Sequence, residues 1–192
     1  GVFNLVMGRG SVVGQAFLDD PRVDAITFTG SQATGRRVAQ AALARMAKFQ
    51  LEMGGKNPLV VVDDADLAVA VECAVQGAFY STGQRCTASS RLVVTEGIHD
   101  RFVAALAERT RALVVGDARA KETQIGPVVD ASQLDQDLRY LEIGKQEGAR
   151  LACGGEGLAR AKPGFYLSPA LLVDATPAMR TSREEIFGPV AS

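Results

Sequence analysis

An α/β fold with mainly parallel sheets is predicted for this chain, on three observations. Short apolar runs rich in β-branched residues alternate with helix-like segments from one end to the other. At least one run, LVVVDD after Pro58, is continuously apolar, as strands buried on both faces are. Glycines close several of the runs, notably Gly8, Gly30 and the pair Gly54-Gly55.

The elements follow in order. GVFNLVMG reads as a strand ending at Gly8, and SVVGQAFLDDP as a short helix stopped by Pro21. VDAITFTG is a strand closed by Gly30. Ser31 then caps a helix running to about Met46, with Val38, Ala41, Ala42 and Met46 on one face. AKFQLEMGG is a further strand. After LVVVDD, Asp66 opens the segment DLAVAVECAVQGAFYSTG, apolar enough to predict a helix buried nearly all round. RLVVTE is a strand, IHDRFVAALAERTRALVVG an amphipathic helix, and ASQLDQDLRYLEIGKQEGA a more exposed helix. RLACGG and PALLVDAT complete the strands. The double glycine marks the expected domain boundary, dividing the chain into 1–54 and 55–192.

Composition narrows the function. The chain has 192 residues, 47% of them hydrophobic, enough for one large domain or two small ones. Its 21 basic and 22 acidic residues nearly cancel, so no basic stripe points to nucleic acid and no charge run to a membrane surface. The longest apolar stretches fall far short of the ~20 residues that span a bilayer. The cysteines Cys73, Cys86 and Cys153 are odd in number and widely spaced, which predicts free thiols in a cytoplasmic protein. The first residue is not Met, and EEIFGPVAS ends inside an apolar strand; a piece of a longer protein is expected.

Three stretches can carry chemistry. In FTGSQATG a strand passes through Gly30 and Ser31 into a helix. The helix N-terminus supplies free N–H groups and a positive dipole end for a phosphate, and Gly35 allows close packing of helix on strand. A plain strand-to-helix turn is the competing reading. In LEMGGKNP, Glu52 stands before two glycines, as a base at a domain seam or as a solvated strand end. In STGQRCTASSR, Cys86 lies among small and polar residues with Arg85 beside it, the setting of a reactive thiol. Cys73 and Cys153, in apolar runs, are read as structural. The single histidine, His99, lies at a helix start beside Asp100 and is read as solvated. Without ligand spacing, no metal site is expected.

Taken in this order, the phosphate turn, Glu-x-Gly-Gly, Gly-Gln-x-Cys and EEIFGPV resemble the aldehyde dehydrogenase superfamily over essentially the whole chain. The resemblance implies that 1–54 is the C-terminal part of a Rossmann-type NAD(P)-binding domain. It makes 55–192 an α/β catalytic domain truncated at its C-terminus. Cys86 becomes the nucleophile, whose backbone N–H helps stabilise the oxyanion, and Glu52 the base that activates water. Gly30, Ser31 and Gly35 belong to the pyrophosphate turn. Met53 offers its carbonyl to the nicotinamide amide, Glu185 holds the nicotinamide ribose, and Phe187 packs beside it. The cofactor is NAD or NADP, the partner a small-molecule aldehyde, and the full-length protein a homodimer or homotetramer. Glu52 favours hydrolysis to a free acid over transfer to CoA.

The stretch around Cys86 is similar to that of dehydrogenases of 2,5-dioxopentanoate, the semialdehyde of α-ketoglutarate. Arg85 either pairs with the carboxylate of such a substrate or serves only the thiol or a structural acid. Two other classes compete: a non-catalytic α/β scaffold, which the intact Cys86 and Glu52 disfavour, and a nucleotide-independent thiol esterase, which the Gly30–Ser31 turn and Glu185 disfavour.

Overall fold

The computed structural model describes residues 1–192, which divide into two compact units, Gly1–Gly54 and Gly55–Ser192.

In the first unit, α1 (Gly10–Asp19) precedes β1 (Ala25–Gly30), α2 (Gln32–Leu43) and β2 (Lys48–Met53). The two strands pair in parallel, from Ala25↔Lys48 to Gly30↔Met53. Parallel neighbours need a crossover, and α2 supplies it. Ser31 starts that helix by accepting the Thr34 N–H on its hydroxyl at 3.3 Å. Arg45 ties the unit together, donating to the carbonyls of Leu18 at 2.6 Å and Val23 at 3.1 Å.

Two expectations fail in this unit. Residues 1–8 form no strand: the run pairs with nothing, and Val2, Phe3, Leu5, Val6 and Met7 are exposed. An apolar run becomes a strand only where a neighbour takes its N–H and C=O groups. Met46 is not on the buried face of α2 either. The helix ends at Leu43, Met46 adopts a left-handed φ of 58°, and the Ala47 N–H returns to the Ala42 carbonyl at 2.9 Å. That is a Schellman-type ending, and it leaves Met46 in solvent.

The second unit runs β3 (Pro58–Val61), α3 (Leu67–Ala78), β4 (Arg91–Val94), α4 (Glu96–Arg111), α5 (Ala131–Gln146), β5 (Arg150–Cys153), β6 (Gly157–Leu158), β7 (Tyr166–Leu167), β8 (Ala170–Val173) and β9 (Val190–Ala191). β3 and β4 are parallel, as are β8 and β9. Ser192 joins the two pairs: its N–H donates to the Ser90 carbonyl at 3.0 Å and its carbonyl accepts from Leu92 at 2.7 Å. The resulting strand order is β3-β4-β9-β8-β5. β5 runs antiparallel to β8, and β6 and β7 form a small antiparallel hairpin, so the sheet is mixed at this edge. The core packs Val71, Val75, Phe79, Phe102 and Leu106 against the strands, with a second cluster around Leu141, Leu172 and Ile186 beneath α5.

The apolar segment after Asp66 behaves differently from its prediction. α3 buries one face, Ala70, Val71, Ala74, Val75 and Ala78, while Val69 and Cys73 are exposed. It also stops at Ala78, because Ser81 and Thr82 take left-handed φ values of 56° and 59° in the 3-10 turn Tyr80–Gly83. α4 stops at Arg111, short of the predicted end. Beyond it, Val115 bridges to Ile125. No helix is long and apolar enough to cross a membrane.

Candidate active site

Cys86 lies in the loop between the 3-10 turn and β4, with its side chain exposed, whereas Cys153 is buried. The loop is held on several sides. The Gln84 side chain accepts the Val129 N–H at 3.0 Å, and the Ser89 N–H returns to the Gly77 carbonyl at 2.9 Å. Arg85 Nη2 donates to the carbonyls of Gln76 at 2.8 Å and Gly77 at 2.9 Å. Asn57 Nδ2 donates to the carbonyls of Cys86 at 2.7 Å and Ala88 at 3.2 Å. The Arg85 carbonyl accepts from Ala88 at 3.0 Å, while the Cys86 N–H meets no acceptor in the chain.

The position of Arg85 assigns it a role that neither sequence reading named. Its guanidinium caps the last turn of α3, where carbonyls lack helical partners and the dipole is negative. The cation is spent on the helix end, not on a carboxylate of the chain.

Glu52 belongs to the first unit, in β2 opposite Thr29, and its side chain is exposed, with Gln50 Nε2 at 3.5 Å. Gly30 and Met53 are register partners at the end of the same pair. Two glycines here sit in close contact with neighbouring side chains. A Cβ on Gly30 would come within 2.6 Å of the Phe28 ring, and one on Gly35 within 2.4 Å of Met53 Sδ. The first turn of α2 is therefore pressed against the tip of β2, and Gln32 Nε2 adds a bond to the Gly54 carbonyl at 3.3 Å. Gly30, Ser31, Gly35, Glu52 and Met53 thus converge at one end of the parallel pair.

Glu185 and Phe187 sit in a turn of the second unit. Gln133 and Gln136 both donate to the Ile186 carbonyl, at 3.0 and 2.8 Å, and Phe187 adopts a left-handed φ of 63° with its ring partly exposed. Glu184 is occupied elsewhere, accepting the Tyr140 hydroxyl at 2.6 Å and pairing with Arg180 at 2.9 Å. Those partners hold its carboxyl down at about 2. Glu185 keeps a buried Oε1 without a partner. Burial raises its carboxyl above the usual range, against the opposing pull of the Gly55 N–H and the Lys56 charge. Lys56 Nζ is buried and unpartnered as well, and desolvation brings it down to about 8. An orphaned carboxylate oxygen beside a partly exposed ring fits a sugar hydroxyl. The close approach of α2 to β2 fits a phosphate at the helix N-terminus.

Sequence reasoning missed Asn57, near the end of LEMGGKNP, and Asp137, a fully buried acid on α5. The available signal for Asp137 was its spacing, three residues after Leu134 and four before Leu141, which puts it on the same face of the helix. His99 bonds its neighbour Asp100 at 2.9 Å and takes no part in the loop. No three His, Cys, Asp or Glu side chains converge as metal ligands.

These features define an α/β chain that presents one exposed thiol on a loop fixed at both ends. The chain belongs to the aldehyde dehydrogenase family, which it matches over residues 1–192. It is 52% identical over 192 residues to the α-ketoglutaric semialdehyde dehydrogenase of Bacillus subtilis, covering 99% of this chain and 39% of that one. It is 48% identical over 190 residues to a betaine aldehyde dehydrogenase of Cereibacter sphaeroides, again covering 99% of this chain and 39% of the relative. Among solved structures, the betaine aldehyde dehydrogenase of Staphylococcus aureus in complex with NAD+ superposes with a TM-score of 0.94 at 35% identity, over 97% of this chain and 37% of that one. The chain therefore spans about two-fifths of the length of the curated relatives it matches.

Proposed function

We propose that this chain is part of a full-length NAD(P)-dependent aldehyde dehydrogenase. In this reading, residues 1–54 contribute to the coenzyme domain and residues 55–192 to the catalytic domain. The observation that carries the reading is Cys86, an exposed thiol on a loop where the carbonyls of Arg85, Cys86 and Ala88 are all engaged.

The Cys86 thiolate adds to the aldehyde carbonyl carbon. A C–S bond forms, and the carbonyl π pair moves to oxygen, where the free Cys86 N–H can meet the developing charge. Collapse of this thiohemiacetal expels the hydrogen on carbon with its electron pair and leaves a thioester. A bound nicotinamide dinucleotide would supply the acceptor for that hydride. Glu52 then takes a proton from water, whose oxygen attacks the thioester; the C–S bond breaks, releasing a carboxylic acid and the thiolate. Gly30, Ser31, Gly35 and Met53 would hold the pyrophosphate and nicotinamide, Glu185 would bond the ribose, and Phe187 would pack beside it. Holding the thiol and its backbone N–H against the carbonyl supplies part of the roughly 7–11 kcal/mol available to well-oriented reactants.

For the substrate we infer an aldehyde that also carries a carboxylate, such as 2,5-dioxopentanoate. The likeness to the Bacillus subtilis enzyme supports it. Betaine aldehyde, with a cationic ammonium in place of the carboxylate, is the second reading, supported by the Cereibacter relative. NADH fluorescence in the full-length enzyme with each aldehyde tests both. A higher kcat/KM for 2,5-dioxopentanoate is expected, and the reverse order overturns the substrate assignment. With Glu52→Gln, mass spectrometry should find an acyl group accumulating on Cys86. Unchanged turnover would remove Glu52 as the base.

A further inference from the structure

We propose that Asn57 is a positioning residue for the Cys86 nucleophile, a role that rests on the reading of Cys86 given above. A single amide nitrogen with two hydrogens reaches two carbonyls of the loop, Cys86 at 2.7 Å and Ala88 at 3.2 Å. Asn57 is itself anchored, because its main-chain carbonyl accepts the Arg91 N–H at 3.2 Å where β3 and β4 begin to pair. The amide therefore transfers the position of the sheet to the loop.

The consequence for Cys86 follows from peptide geometry. In a planar trans peptide the C=O and the N–H point in opposite directions. The Arg85 carbonyl turns inward to accept from Ala88, so the N–H of Cys86 in the same peptide plane turns the other way. Asn57 fixes the next plane by holding the Cys86 carbonyl. With the planes on both sides of its Cα set, Cys86 has its φ, its ψ and the starting direction of its thiol determined. Without Asn57 the second plane is free to rotate, and the thiol and the N–H no longer face one carbonyl together. Arg85 and Ser89 hold the loop to α3 but do not touch the plane on the carbonyl side of Cys86.

The test uses the full-length enzyme and rapid-mixing measurement of the first turnover. Asn57→Ala should slow the NADH burst by about 10- to 100-fold, the range in which small misplacements of reacting groups fall. The KM for the dinucleotide should change less than threefold, about the level of ordinary mutational noise. Asn57→Asp has the same shape but, when ionised, offers only acceptors to two carbonyls. Its burst should be slower than that of Asn57→Ala at pH 8 and should recover relative to it as pH falls and the carboxyl gains a proton to donate. A side chain that merely fills space would give Asn57→Asp the wild-type rate across the pH range, and that result overturns the proposal. So does a wild-type burst in Asn57→Ala. Should Asn57→Ala fail to fold, the isosteric Asn57→Asp carries the test through its pH profile alone. Cys86→Ala in parallel separates the two claims: a normal burst there defeats the nucleophile itself, while a dead Cys86→Ala beside a normal Asn57→Ala defeats only the positioning role.

Discussion

Gly83 and Gly188 touch backbone to backbone: a Cβ on Gly83 would lie 2.1 Å from the Gly188 carbonyl oxygen. Gly83 ends the turn that leads into the Cys86 loop, and Gly188 follows Phe187. The thiol loop and the turn bearing Glu185 are therefore built against one another, with no room for a side chain between them. Gly83 also has a left-handed φ of 64°, open to glycine at little cost.

Gly83→Ala should accordingly be among the most damaging single-methyl additions in this chain. The left-handed backbone costs roughly 1 kcal/mol for alanine, and the clash with a backbone carbonyl cannot be relieved by a rotamer change. We expect a lower thermal midpoint and a kcat reduced by at least about tenfold, since displaced reacting groups are that costly. Circular dichroism melts and steady-state assays of the full-length enzyme check this. Gly157→Ala, where a Cβ meets nothing within 4 Å, is the control.

The three cysteines should separate by reactivity. Cys86→Ala should abolish NADH formation, whereas Cys73→Ala and Cys153→Ala leave the first turnover nearly intact. Exposure alone does not decide the matter, because Cys73 is exposed too. Iodoacetamide should label both Cys86 and Cys73 before Cys153, whose burial raises its thiol. Only labelling of Cys86 should track the loss of activity. Activity surviving full modification of Cys86 would contradict the mechanism.

Local chemistry was legible in the sequence, and tertiary chemistry was not. The Ser31 and Asp66 caps were readable because each involves a side chain and an N–H three residues on. The polar setting of Cys86 was readable for a similar reason. The bonds of Arg85 were not legible, because its partners, Gln76 and Gly77, come near only after α3 ends and the chain doubles back. Asn57 reaches a loop 29 residues away, and nothing in its neighbours signals that reach. Composition alone points to a strand over residues 1–8, and composition cannot supply a pairing neighbour. The buried-all-round reading of α3 failed similarly: Ala70, Ala74 and Ala78 mark the packed face, but Ala68, Val69 and Cys73 remain in solvent.

Asp137 predicts a pH dependence. It is fully buried, Gln133 donates to one oxygen at 2.8 Å, and the other oxygen has no partner. Burial pushes its carboxyl up to about 7 from an ordinary 3.8. Below the ordinary value the folded and unfolded chains are both protonated, and the group has no effect on stability. Between the two values the folded chain holds a proton that the unfolded chain has released, so rising pH favours unfolding. Above about 7 the penalty is complete. Asp137→Asn keeps the shape and the Gln133 contact through its carbonyl oxygen. It should raise the thermal midpoint at pH 8 by a few degrees, roughly the effect of 1–2 kcal/mol, with the gain shrinking toward pH 4. A gain of equal size at both pH values would refute the titration of Asp137 as its cause.

Arg85 gives the sharpest contrast between two chemical roles. If the guanidinium bonded a substrate carboxylate, Arg85→Ala would penalise carboxylated aldehydes selectively, by roughly 1.5–3 kcal/mol. The structure instead places Nη2 on the Gln76 and Gly77 carbonyls, with Nε buried and unpartnered beside them. Removing it uncaps α3 and loosens the tie between that helix and the loop, and that change is indifferent to the charge on the aldehyde. We therefore expect Arg85→Ala to lower kcat/KM for 2,5-dioxopentanoate, betaine aldehyde and an uncharged aldehyde of similar length by a common factor. Arg85→Lys should restore part of the loss, since one ammonium can still reach a carbonyl but cannot reproduce the planar fork. The measurement is the ratio of kcat/KM between carboxylated and uncharged aldehydes in wild type and variant. A constant ratio fits a helix cap that braces the thiol loop. A ratio falling tenfold or more, the rate equivalent of about 1.4 kcal/mol, would return Arg85 to the substrate.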